Sequence, residues 1–201
     1  MVGKWHVSNT PSRQDPAVQL AWLAHRADYG DLSPREQYPT RRGFDDYYGN
    51  IWGVVDFFDP FSLVHGEEPV RAVPEGYYHT DAINDTATAW VRRYAAEERP
   101  FFLYVAHTAP HWPLHALPED IARYDETYDV GWQAIREARH RRLLELGLIE
   151  PGTRLPPRVE PELSWAENPD REWDARAMAV HAAMVDRMDQ GIGRLLRALE
   201  E

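Results

Sequence analysis

The sequence predicts an α/β fold built on an open sheet, and three neighbouring observations carry that prediction. Residues 101–106 (Phe-Phe-Leu-Tyr-Val-Ala) form a continuous apolar run, aromatic and in part β-branched, of the length of a strand buried on both faces. Before it, Ile83, Ala87, Trp90, Val91 and Tyr94 recur at helical spacing, from a start near Thr80 to a stop at Pro100. After it comes a loop with three histidines and two prolines, residues 107–115. A helix, a strand and then a polar loop are the order of an open α/β sheet, in which ligands sit beyond the carboxyl ends of the strands.

The other segments fall into place around this unit. Residues 1–7 are apolar at alternate positions and fit the end of a strand running into a loop. Residues 8–78 show no long helical period. Their glycines, their prolines and the aromatic run from Phe44 to Phe61 predict irregular, packed loops. The unit described above occupies 79–116, with Thr80 as the expected N-cap and Asp81 in the first turn. Segment 117–170 reads as a helical insertion, with helices at 118–124 and 130–146, followed by an extended connector set by Pro151, Pro156, Pro157, Pro161 and Pro169. A long helix is expected at 171–201, where Met178, His181, Val185, Met188, Ile192, Leu195 and Leu199 share a stripe.

Composition narrows the function classes. With 43% hydrophobic residues and 8 Trp, 10 Tyr and 6 Phe in 201 residues, the chain can bury a real core. A formal charge of -11 opposes binding to phosphate backbones, and no basic face stands out, so nucleic acid is not an expected partner. No apolar run approaches the roughly 20 residues of a bilayer crossing, and no basic region followed by an apolar stretch opens the chain. The chain has no cysteine, which removes disulfides, thiolate metal sites and cysteine nucleophiles from consideration within it. Of 22 basic residues only Lys4 is lysine, which suggests a place that requires a compact ammonium rather than a planar fork. A leftover surface lysine is the plain alternative.

Several constellations bear chemistry. In Gly3-Lys4-Trp5-His6 an extended backbone puts the ammonium and the imidazole on one face. That pair suits a tetrahedral anionic ester, the lysine neutralising charge and the histidine moving a proton; the residues alone equally admit a structural role. His107, His111 and His115 have the spacing of a helical zinc face, but Pro110 and Pro113 forbid that helix. His111, between the prolines, is the candidate for presentation to a ligand, with His107 and His115 left to pack nearby. Asn9-Thr10-Pro11-Ser12-Arg13 reads as a polar loop. Gly191-Ile192-Gly193 lies in a helical period without a preceding strand and predicts close helix packing. The pairs Asp45/Asp46 and Asp186/Asp189 could hold a cation or be solvated. Asn84-Asp85-Thr86 fits a glycosylation sequon within a predicted helix.

Taken together, several strings resemble one family, the sulfatases. Gly3-Lys4-Trp5-His6 resembles their second signature, and Arg42-Gly43-Phe44-Asp45-Asp46-Tyr47-Tyr48-Gly49 their Gly-Phe-Asp-aromatic-aromatic-Gly segment. Tyr77 to Ile83 resembles the start of the next helix. Residues 100–104 and 109–114 resemble the following strand and histidine loop. Residues 128–132 and 184–189 are similar to bacterial arylsulfatases.

The resemblance implies a partial alkaline-phosphatase-like α/β/α sandwich with a mixed, mostly parallel sheet, and hydrolysis of sulfate esters by a formylglycine nucleophile beside a Ca2+ ion. It implies that Lys4 binds a sulfate oxygen, that His6 contacts the formylglycine hydroxyls, and that His111 stabilises or protonates the leaving oxygen. Lys4 and His111 would be the substrate-binding groups. The family's paired aspartates and nucleophile signature would precede Met1; its later Asp-Asn and last lysine would follow Glu201. The expectation is therefore an internal piece that holds no metal ligand, is inactive alone, and has the remainder of the sulfatase domain as its partner. A phosphonate or phosphate ester hydrolase of the same superfamily and a truncated non-catalytic binding protein are the alternatives.

Overall fold

The structure, a computed structural model, describes residues 1–9, 15–24, 32–97, 99–157 and 164–201. They fall into two compact units, Met1–His115 with Met184–Glu201, and Ala116–Ala183. The first unit holds a sheet of β1 (Val2–Gly3), β2 (Tyr48–Asn50), β3 (Leu63–His65), β4 (Glu68–Pro69) and β5 (Val105–Ala106), in the order β4-β3-β2-β1-β5. Strand β1 is parallel to both β2 and β5, with Val2 opposite Tyr48 and Val105. The pairs β2–β3 and β3–β4 are antiparallel, which makes the sheet mixed.

Two cores form because strand side chains alternate between faces. Val2, Tyr48 and Val105 point to one side and pack with Ile83, Ala87 and Trp90 of helix α2 (His79–Ala95), joined by Leu195 of helix α5 (Arg171–Glu200). Met1, Tyr47 and Ala106, each one residue away, pack on the other side with Leu32, Tyr38, Ile51, Phe61 and Val64. Each fully buried aliphatic or aromatic side chain here contributes about 1.5–3 kcal/mol. The aromatic run of segment 8–78 thus supplies the second core. The segment also holds helix α1 (Pro16–Leu23) and the strands β2 to β4, which loop chemistry alone did not predict.

Two expectations are corrected. The run 101–106 is not a strand buried on both faces: only Val105 and Ala106 pair, and Phe102 is 78% exposed. Among the described strands β5 is an edge, and no further strand pairs beyond it. Thr80 is not the N-cap; the helix begins at His79 behind Tyr78, and the Thr80 hydroxyl is buried without a hydrogen bond. The opposite edge, β4, is two residues long and carries Glu68 and Pro69, features that discourage further pairing.

Close packing of α5 on α2 explains Gly191, since a Cβ there would run into the side chain of buried Asn84. Asn84 donates to the Thr80 carbonyl at 2.9 Å, so the sequon's asparagine is buried and engaged. Arg187 and Asp81 tie the same two helices with two hydrogen bonds, at 2.8 and 2.6 Å.

In the second unit, α3 (Pro118–Ala122) and α4 (Trp132–Glu145) occupy the expected places, and α5 begins there. Trp165 crosses Trp132 edge-on with centroids 4.8 Å apart and donates to the Asp129 carbonyl at 2.9 Å. Gly131 is required at this spot, because any Cβ would meet the Trp165 ring and φ is +85°. Connector residues 158–163 lie outside the described residues. No helix among the described residues is long and apolar enough to cross a membrane.

Candidate functional site

The parallel strands β2, β1 and β5 end side by side, so the loops leaving them emerge from one edge of the sheet. Lys4 and His6 follow β1, and residues 51–53 follow β2. His111 lies in the loop after β5. Main-chain bonds hold these loops together: the Lys4 amide donates to the Ala106 carbonyl at 2.8 Å, Trp5 to Asn50 at 2.9 Å and His6 to Ile51 at 3.0 Å. The Trp5 indole is turned into the second core and donates to the Gln37 carbonyl at 2.8 Å.

His6 has a left-handed backbone, φ +53°, which costs a non-glycine residue about 1–3 kcal/mol. This conformation lays its ring against Gly53, where any Cβ would collide with the imidazole. Burial lowers the His6 pKa below its ordinary value of 6.5, and the nearby charges of Lys4 and His111 lower it further. The neutral ring is therefore favoured at physiological pH, as a proton acceptor. Burial also lowers the Lys4 pKa. Among the described residues no carboxylate pairs with Lys4, and the His6 ring has no hydrogen-bond partner.

The three loop histidines divide as follows. His107 is half-buried and bonds Asn84 at 2.8 Å, with burial lowering its pKa. His115 lies between Phe57 and Phe58, and its carbonyl accepts from Tyr78 at 2.9 Å. His111 is exposed. Its Nδ1 must donate to the Trp112 carbonyl, 2.6 Å away, which leaves Nε2 free for a ligand. Lys4, His6 and His111 thus share one edge of the sheet, while His107 and His115 are engaged in packing.

Sequence reasoning missed Gly53, Asn50, His79 and Thr108. Asn50, His79 and Thr108 are buried and polar and form one hydrogen-bonded group behind the three loops. The string Tyr77-Tyr78-His79 carried a signal, a histidine on the inward side of a helix start.

Neither Asp45/Asp46 nor Asp186/Asp189 forms a cation cage. Asp46 is held by Tyr94 at 2.6 Å and by Arg93, which keep its carboxyl below the usual range, and Asp186 accepts from Gln190. Among the described residues no group of three or more His, Asp or Glu side chains could hold a metal, so the donor set present does not fit a calcium ion. Residues 10–13 of the Asn9 to Arg13 segment lie outside the described residues.

Gly53→Ala is predicted to lift the His6 ring off its seat into solvent. The His6 pKa should then return toward 6.5 in an NMR titration; an unchanged titration curve would show that the ring does not rest on Gly53.

The chain matches the family model described as Sulfatase over residues 1–201. It is 29% identical over 205 residues to an arylsulfatase of Klebsiella aerogenes, covering 100% of this chain and 40% of that protein. It is also 29% identical over 220 residues to an uncharacterized sulfatase of Schizosaccharomyces pombe, covering 100% of this chain and 35% of the relative. The crystal structure of Ps i-CgsB in complex with k-i-k-neocarrahexaose aligns with 99% of this chain and 33% of its own, at a TM-score of 0.54 and 24% identity, a likeness of fold. That fold is the alkaline-phosphatase-like α/β architecture. The chain thus spans well under half the length of these relatives. Matched from its first residue to its last, it belongs to the sulfatase family.

Proposed function

We propose that this chain forms one wall of the active site of a sulfuric ester hydrolase of the arylsulfatase type. The nucleophile and the calcium ligands would be supplied by the rest of a longer polypeptide. The observation that carries the reading is the placement of Lys4, His6 and His111 on loops leaving neighbouring parallel strands, with His6 inside the electrostatic reach of the other two. A sulfate ester is a tetrahedral anion that gains charge on its oxygens as the ester bond breaks. An ammonium at Lys4 neutralises a non-bridging oxygen without proton exchange. His111, with Nδ1 anchored on a carbonyl, can present a protonated Nε2 to the departing ester oxygen, which otherwise leaves as a high-energy alkoxide or phenoxide. His6, favoured as the neutral ring, is suited to accept a proton. Among the described residues no group of His, Asp or Glu side chains fits the calcium ion.

Two experiments test this reading. Residues 1–201 expressed alone should hydrolyse no aryl sulfate above background, because the parts of such a site act as a unit. They should also self-associate through the bare β5 edge, where Phe101, Phe102 and Tyr104 are exposed. A monomer with calcium-dependent turnover would contradict the reading. The longer polypeptide, encoded by extending the reading frame on both sides, should hydrolyse an aryl sulfate in preference to the matched aryl phosphate. The reverse preference would favour a phosphate ester hydrolase, and no turnover of either a binding protein.

A further inference from the structure

We propose that Asn50 is a positioning residue that fixes the loops of His6 and His111 relative to each other through a proton-ordered chain of buried side chains; its catalytic consequence rests on the reading above. The order of protons follows from which atoms can donate. Asn50 faces the Trp52 carbonyl, which only accepts, so the amide nitrogen Nδ2 must point there and Oδ1 the other way. Oδ1 then accepts twice, from the Thr108 hydroxyl at 2.8 Å and from His79 Nε2 at 2.9 Å. His79 is therefore the Nε2–H tautomer, and its Nδ1 is an acceptor. Tyr77 sits 2.9 Å from Nδ1 and must donate to it, which obliges Tyr48 to donate to the Tyr77 oxygen across 3.1 Å.

The donated hydrogens of Asn50, Thr108, His79, Tyr77 and Tyr48 in these five bonds follow one consistent order. Asn50, His79 and Thr108 are almost fully buried, so a lost bond leaves a desolvated group unpaired. Burial also keeps His79 neutral and raises the pKa of Tyr48 and Tyr77, which maintains this order at physiological pH.

The chain ends on the two histidine loops. Asn50 Nδ2 holds the carbonyl of Trp52, the residue next to the Gly53 seat of the His6 ring. The Asn50 carbonyl accepts the amide of Trp5, the neighbour of His6. On the other side the Thr108 hydroxyl is fixed by Asn50 Oδ1, and the Thr108 carbonyl accepts the His111 amide at 3.0 Å. A single side-chain amide thus joins the seat of one imidazole to the backbone anchor of the other, with the first residue of α2 as the third support.

The test uses the longer polypeptide and paired variants, one of each pair removing a donor and the other keeping it. Thr108→Val removes only the hydroxyl donor, and Thr108→Ser restores it. His79→Gln keeps a donor where Nε2 was, and His79→Asn does not. Thr108→Val and His79→Asn should lower kcat for an aryl sulfate about 10-fold with little change in KM, the effect of a displaced reacting group. They should also weaken the influence of His111 on the His6 titration measured by NMR. Thr108→Ser and His79→Gln should recover most of both. The proposal is overturned if Thr108→Val and His79→Asn leave the His6 titration and its response to His111→Ala unchanged, or if the conservative variants fail as badly. Should the wild-type polypeptide prove inactive on aryl sulfates, the sulfatase reading fails, and the NMR arm alone decides the positioning claim.

Discussion

Replacing His111 by alanine in the longer polypeptide is expected to lower kcat/KM for sulfate esters about 10²–10⁴-fold, the range for loss of a positioned general acid. The loss should depend on the substrate. An activated phenol leaves with little help and should show the smallest effect, whereas an ester of a basic alcohol needs the proton most. Lys4→Ala removes charge stabilisation of the sulfuryl oxygens instead. It should cost about 10²–10³-fold to a similar extent for every leaving group. Rates across a series of aryl and alkyl sulfates, measured for both variants, check this contrast. A His111→Ala effect independent of the leaving group would remove His111 from the proposed role.

Acid should unfold the protein through His79. In the unfolded chain this imidazole titrates near 6.5; folded, burial pushes it down to about 3. Between those values the unfolded state holds a proton that the folded state does not, so stability is highest above pH 6.5 and is lost as pH falls. The full gap amounts to about 5 kcal/mol, and about 2 kcal/mol of it is lost by pH 5. Other groups titrate in the same range, so the sign is read from a difference. Urea denaturation at pH 7 and pH 5 should show wild type losing about 2 kcal/mol more than His79→Gln. Equal losses would mean that His79 is protonated without penalty in the folded state.

The fold was legible where the sequence repeats itself. Helices α2, α4 and α5 lie within a few residues of their expected positions, because their stripes or lengths exceed the reach of chance. Strands β2, β3 and β4 were not legible, since two or three residues are too short to display alternation. The apolar run before β5 was legible as a strand but misplaced: apolarity reports that a face wants cover, and cannot report that β5 is an edge among the described strands. At the site, lone Lys4 and the proline-framed His111 stood out through residue type and spacing. Asn50, Gly53, His79 and Thr108 did not, because their meaning lies in partners 29 and 58 positions away in the chain, as in the bonds from Asn50 to His79 and to Thr108.

Lys4, His6 and His111 are proposed to face one sulfate ester, with His6 inside the electrostatic reach of the other two. The most direct measurement is an NMR titration of the His6 ring in wild type, Lys4→Met and His111→Ala, with and without added sulfate. The wild-type value should lie below 6.5, rise in each variant, and rise again on sulfate addition only while Lys4 is present. A His6 titration indifferent to both substitutions would contradict this placement.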